Sequence, residues 1–133
     1  MGGCLFSIQC LPFKFNYHGR YMNYKALQQQ AAAAIVQSWS LKIKLIEHDP
    51  QDQDQYMILE PSCVAEDENG TICLRGIVRQ CVINVVGGCN NFPIANIVSL
   101  ELTDSLFNPD PHCANLPLGW KRIFPPSSAS LVQ

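Results

Sequence analysis

The sequence predicts one small, mainly β domain: a single helix followed by about five short antiparallel strands, forming a small barrel or a strongly bent sheet. Three observations predict it. The apolar residues change period near residue 38, from the helical spacing of an Ala/Gln/Leu-rich segment to a strict alternation in Leu41, Ile43 and Leu45. Asn69-Gly70 stands between two β-prone runs, and Asn-Gly readily takes the positive φ angles of a tight hairpin turn. The 133 residues, 47% hydrophobic and 15% charged, suit one compact core and argue against global disorder.

Each element follows in order. Phe13, Phe15 and Tyr17 alternate with Lys14 and Asn16, a half-buried strand pattern, and His18-Gly19 marks a turn. Residues 22–38 predict the helix, because Ala, Leu, Gln and Lys are strong helix formers and no Gly or Pro interrupts them. Ala26, Leu27, Gln30, Ala31, Ala34 and Ile35 form its mostly apolar stripe. A strand through Leu41, Ile43 and Leu45 comes next, then a polar, acidic loop over residues 49–55. Residues 56–67 read as a strand bent at Pro61, and residues 71–78 and 81–86 as two more. The cluster at 87–93 reads as a turn, and residues 94–103 as the last strand. Prolines 109, 111, 117, 125 and 126 break up the remainder, and residues 127–133 read as a frayed end. Three segments result: an arm and helix over 1–38, a barrel over 39–108 and a Pro-rich tail over 109–133.

Charge and cysteine usage narrow the function classes. The net charge is −2, so the basic surplus of an autonomous nucleic-acid binder is missing. No apolar run is long enough to span a bilayer, and the N-terminus lacks the basic-then-apolar pattern of a secretory signal. Seven cysteines, an odd number, several of them inside apparent strands, then read as reduced thiols in a cytosolic or nuclear protein. On the same reasoning the glycosylation triplet Asn69-Gly70-Thr71 is more simply a hairpin turn.

No motif carries catalysis. There is no Cys-x-x-Cys pair, so buried thiols acting as small hydrophobes are preferred to a zinc site, and no metal or other cofactor is expected. His18, His48 and His112 are scattered, with no nucleophile and base in a shared motif, and the chain reads as a non-enzyme. Asp49, Asp52 and Asp54 lack the Gly and closing Glu of a calcium loop. Gly87-Gly88 lacks the lysine of a phosphate-binding loop. Met1-Gly2-Gly3-Cys4 allows acylation at Gly2 and Cys4, although Phe6 stands where the myristoylation pattern wants Ser or Thr. Leu116-Pro117-Leu118-Gly119-Trp120 is similar to the start of a WW or methyl-CpG-binding module, but only thirteen residues follow Trp120.

Residues 56–110 resemble the later part of an oligonucleotide/oligosaccharide-binding (OB) fold. The parts are Tyr56-Met-Ile-Leu59, the acidic hairpin Glu66-Asp-Glu-Asn-Gly-Thr-Ile72, Cys81-Val-Ile-Asn-Val-Val-Gly-Gly88, Ile94 to Leu102, and Thr103-Asp104. Within OB proteins the stretch Val85-Val-Gly-Gly88 followed by Ile97-Val-Ser-Leu-Glu-Leu-Thr-Asp-Ser-Leu-Phe-Asn-Pro109 resembles the small subunit of the RecQ-mediated genome instability complex, with the replication protein A middle subunit as a more distant cousin. That resemblance implies a five-stranded OB-like barrel and a nuclear, non-enzymatic scaffold in DNA repair and replication. The implied partners are a larger OB-fold subunit, a RecQ-type helicase and a type IA topoisomerase. It departs from the family in its prolines 109, 111 and 117, which crowd the region of the family's C-terminal helix.

Two sets of side chains are candidates for binding. Phe107, Leu116, Leu118, Trp120, Ile123 and Phe124 crowd an irregular tail, more large apolar groups than a small domain usually leaves near water, and predict a partner surface. Lys42, Lys44, Tyr56, Arg75 and Arg79, with Trp39, could line a groove for weak single-stranded DNA contact. No small-molecule substrate is implied and membrane association is not favoured. Two alternatives stand beside this reading. One is a cystatin-like sheet wrapped around the helix of residues 22–38, binding proteases or other proteins, though a Gln-Val-Val-Ala-Gly-type loop is absent. The other is an acylated membrane-surface adaptor, resting on Gly2 and Cys4.

Overall fold

The computed structural model describes residues 24–81 and 87–126. The early strand around Phe13–Tyr17, the acylation candidates Gly2 and Cys4, most of the strand expected at 81–86 and the tail at 127–133 lie outside the described residues.

The helix α1 runs Tyr24–Gln37, within the predicted bounds. It buries Leu27, Ala31 and Ala34, spaced four and three residues apart, so one narrow stripe of mostly small side chains lies against the sheet. Ser38 ends it at φ 56°, a left-handed conformation that turns the chain out of the helix. The Ser38 carbonyl accepts a hydrogen bond from the Phe107 N–H at 2.9 Å, which ties that corner to the far end of the last long strand.

Six strands follow: β1 Trp39–Leu45, β2 Met57–Glu66, β3 Ile72–Cys81, β4 Cys89–Pro93, β5 Ile97–Leu106 and β6 Lys121–Phe124, with a 3-10 turn at Ile94–Asn96 between β4 and β5. They form one antiparallel sheet in the order β4-β3-β2-β1-β5. The first four strands meander, and β5 returns to pair with β1. The expected mainly β domain is present, but its sheet is open rather than closed, and it holds six strands rather than five. The residues of β4 fall in the predicted turn cluster, and β6 falls in the predicted irregular tail. The last long strand starts at Ile97, after the 3-10 turn, and extends to Leu106.

The bend in β2 explains where β6 fits. Met57, Ile58 and Leu59 pair with β1, whereas Val64, Ala65 and Glu66 pair with β6. Between these two partners stands Pro61, which has no N–H to give a neighbouring strand. The register of β2 against β3 also shifts between Pro61 and Cys63. The hairpin joining β2 and β3 is the one that Asn69-Gly70 predicts, with Gly70 at φ 86°.

One core joins the sheet to the helix. Leu41, Ile43, Met57, Leu59, Leu74, Val78, Ile94, Ile97 and Leu100 close around Leu27, Ala31 and Ala34. His48 is buried at its edge, where its Nδ1 accepts the Leu45 N–H at 2.8 Å. Burial holds the imidazole below its ordinary pKa, with the nearby Glu47 charge opposing and the Lys44 charge adding to the effect. The unfolded chain therefore binds a proton more readily than the folded one. The contribution of neutral His48 is complete above the ordinary histidine range and is lost as pH falls through that range towards the lower folded value. Denaturation at pH 7 and pH 5 should show a loss of stability in the parent that is smaller in His48→Asn. Equal losses in both proteins would separate His48 from the acid response.

Candidate partner-binding cleft

Residues 107–120, the strap between β5 and β6, are tied to the sheet. Arg75, on β3, is only 8% exposed, and among the described residues its guanidinium has no carboxylate partner; it hydrogen-bonds instead to neutral oxygens. Its Nε donates to the Cys113 carbonyl at 2.9 Å, Nη2 to the Asn115 carbonyl at 3.0 Å and Nη1 to Asn91 Oδ1 at 3.0 Å. Arg122 on β6 donates to the carbonyl between them, that of Ala114. Three consecutive carbonyls are thus received by two arginines, and a charged donor makes each such bond stronger than a neutral one. The disulfide Cys89–Cys113 adds a covalent tie from this strap to β4. Its Cα atoms are 5.6 Å apart, within the ordinary range for a bridge. This corrects the expectation that all the cysteines are reduced. The 24-residue separation gives no local signal, and the pair meets only because β4 and the strap converge on Arg75.

Between the strap, the end of α1 and the bend in β2 lies a cleft of about 230 Å³. Its walls are mostly apolar: Ile35 from α1, Pro61 from β2, Ile77 from β3, and Phe107, Pro109 and Pro111 from the strap. Glu60 and Asp110 stand among them as the acids of the described lining. The chain neighbours of two wall residues, Val36 beside Ile35 and Leu106 beside Phe107, are each 69% exposed. Leu106 pairs directly with Trp39 across β5 and β1, placing the two residues side by side near this corner.

The six candidate partner residues divide. Phe107 lines the cleft. Phe124 is half-buried and packs against the hydrophobic core. The alternation of β6 accounts for it, since Phe124 and Arg122 are half-buried while Lys121 and Ile123 are exposed. Leu116 and Trp120 are half-buried. Leu118 is 99% exposed on the turn before β6, where the neighbouring Gly119 approaches the Glu68 side chain.

The five nucleic-acid candidates divide too. Lys42, Lys44 and Tyr56 share a shallow polar pocket with Ser99 and Glu101. Their charges are already engaged there. Lys44 donates to the Asp52 and Gln55 carbonyls at 2.7 and 2.8 Å, clasping the acidic loop, and the Lys42 ammonium lies 4.6 Å from the centre of the Tyr56 ring. Arg79 pairs with Glu60 at 3.1 Å, and the burial of Arg75 under the strap corrects its place in a groove. The loop carboxylates serve their own backbone: Asp49 accepts the Gln51 N–H and Asp52 the Asp54 N–H.

Sequence reasoning missed Val36, Leu106, Ile35, Pro61 and Ile77 as members of one site. Val36 does carry a signal, an apolar residue off the buried stripe of an exposed helix. Among the described residues, no cluster of His, Cys, Asp or Glu is arranged to hold a metal ion, and no helix is long and apolar enough to cross a membrane. No protein-family model matches the chain, and neither does any characterised protein or solved structure.

Proposed function

We propose that this chain is a non-catalytic protein-binding domain that seats apolar side chains of a partner in the cleft between α1 and the strap. The observation that carries the reading is the cleft itself, an apolar concavity flanked by the two well-exposed aliphatic side chains Val36 and Leu106. Concave apolar sites with a few polar groups are the usual form of a binding pocket, and exposed aliphatic residues around one extend it into an interface.

A catalytic reading has less support. Burial pushes the Cys63 thiol above its ordinary pKa, and the charges of Arg122 and Arg75 only partly offset it. Burial likewise raises Cys73, with the Asp67 charge adding to it. A nucleophilic cysteine needs a shift in the opposite direction. DNA binding has less support as well, because the lysines nearest one another are held by the acidic loop and by Tyr56.

Protein binding is common to both leading sequence-level readings, the OB-fold scaffold and the helix-wrapping sheet. The helicase–topoisomerase assembly is the narrower form of the first and rests on the sequence resemblance. It presumes a nuclear, reduced chain, and a disulfide favours an oxidising compartment instead. The protein-binding role is therefore proposed without that assembly.

A photo-crosslinking residue at position 106 tests the proposal, with one at Gln51, exposed in the acidic loop beyond the other end of β1, as the control. The expected result is one dominant adduct from position 106 that excess parent protein competes away. The Val36→Asp/Leu106→Asp variant should compete at least tenfold less well, a loss of about 1.4 kcal/mol or more. An adduct formed equally from position 51, or competed equally by the double variant, rejects the cleft as the interface.

A further inference from the structure

Asn69-Gly70-Thr71 is the only Asn-x-Ser/Thr triplet in the chain. One such triplet arises readily by chance in a chain of this length, so its weight comes from two structural observations.

The first is its presentation. The triplet forms the apex of the β2–β3 hairpin, and all three residues are exposed. Asp67 holds the backbone of the turn. Its carboxylate accepts the Asn69 N–H at 2.8 Å and the Thr71 N–H at 2.9 Å, and its own N–H donates to the Thr71 carbonyl at 2.9 Å. The turn is therefore built without the two side-chain groups that define an acceptor site. Among the described residues, no hydrogen bond engages the Asn69 carboxamide or the Thr71 hydroxyl.

The second is the Cys89–Cys113 bond, which involves none of the residues of the turn. Disulfides form and persist in oxidising compartments, the secretory lumen among them, where Asn-x-Ser/Thr triplets are modified. The buried Cys63 and Cys73 suit the same environment, since buried thiols resist exchange.

We propose that Asn69 is an N-glycan acceptor and that this chain matures in an oxidising, secretory-type compartment. The donor class is an oligosaccharide carried on a lipid diphosphate. The Asn69 amide nitrogen forms a bond to the anomeric carbon of the sugar. The bond from that carbon to the diphosphate oxygen breaks, the lipid diphosphate leaves with the electron pair, and the amide nitrogen gives up one proton. No oxidant or reductant is consumed. The proposal does not depend on the cleft reading, because it uses none of the cleft residues.

The test is expression of the full chain in eukaryotic cells, followed by treatment with an amidase that removes N-glycans. The expected result is a heavier species that the enzyme collapses, leaving Asp in place of Asn69. Asn69→Gln and Thr71→Ala should abolish it and Thr71→Ser should retain it, with unchanged melting curves showing that the hairpin is intact. An unmodified Asn69 in the full chain overturns the proposal. A second form carrying an added secretion signal then separates the two reasons. Modification there means that the turn is competent but the chain does not reach the compartment. No modification there means that the turn itself is not an acceptor.

Discussion

Replacing Cys113 by Ser should cost the domain about 3 kcal/mol. The bond Cys89–Cys113 closes a loop of 24 residues, and the chain-entropy treatment of such a loop gives roughly 3.5 kcal/mol at room temperature. Arg75 and Arg122 continue to hold the strap carbonyls after the bond is lost, so the native strap is not expected to dissolve. The effect then comes mainly from the freedom regained by the unfolded chain. For a domain of this size the loss corresponds to a fall in melting temperature on the order of 10 °C. Reduction of the parent protein should reproduce the fall, and reduction of Cys89→Ser/Cys113→Ser should add nothing. A reduced parent that melts with the oxidised one would show that the bond contributes no stability.

How much of this was legible in the sequence depended on how local the cause was. The helix was legible because residues 24–37 combine strong helix formers with an apolar stripe, both read within a few turns. The hairpin was legible because Gly70 supplies the positive φ that its turn needs, while Asn69 stays at negative φ. The strand β4 was not: three of the five residues of Cys-Asn-Asn-Phe-Pro, the two Asn and the Pro, are poor strand formers, and only pairing with β3 extends it. The four residues of β6 lie between Pro117 and Pro125, and only the half of β2 beyond Pro61 gives them a partner.

The candidate site followed the same division. Phe107 was found because an aromatic residue after a predicted strand needs cover. Pro109 and Pro111 follow it in the strap, but the remaining walls come from α1, β2 and β3, and no spacing along the chain links them to it. Arg75 did leave a trace, a lone charge inside Thr-Ile-Cys-Leu-Arg-Gly-Ile-Val. Such a charge needs either solvent or several acceptors, and sequence alone could not choose between a nucleic-acid groove and a set of two strap carbonyls with the Asn91 side chain of β4.

The other large expected effect lies one residue further along β3. Gly76→Ala should destabilise the fold by about 3 kcal/mol, the upper end of what overpacking usually costs, and Gly76→Val by more. Gly76 pairs with Pro61 at the point where β2 bends and changes partners. A Cβ added there would stand 2.9 Å from the Pro61 Cα and closer still to the Glu60 carbonyl oxygen. Both obstacles are backbone atoms, so no side-chain rotation can relieve the contact. Relief requires β2 and β3 to separate where they hold the proline-centred bend, and with it the change of partner from β1 to β6. Gly88 supplies the comparison. It sits at φ 73° with open space where a Cβ would go, so Gly88→Ala should cost only the left-handed backbone penalty, about 1–2 kcal/mol. Chemical denaturation of the two variants should therefore rank Gly76→Ala well below Gly88→Ala. The reverse ranking would mean that the β2 bend can move away from β3 at little cost, and that the cleft wall formed by Pro61 is not rigid.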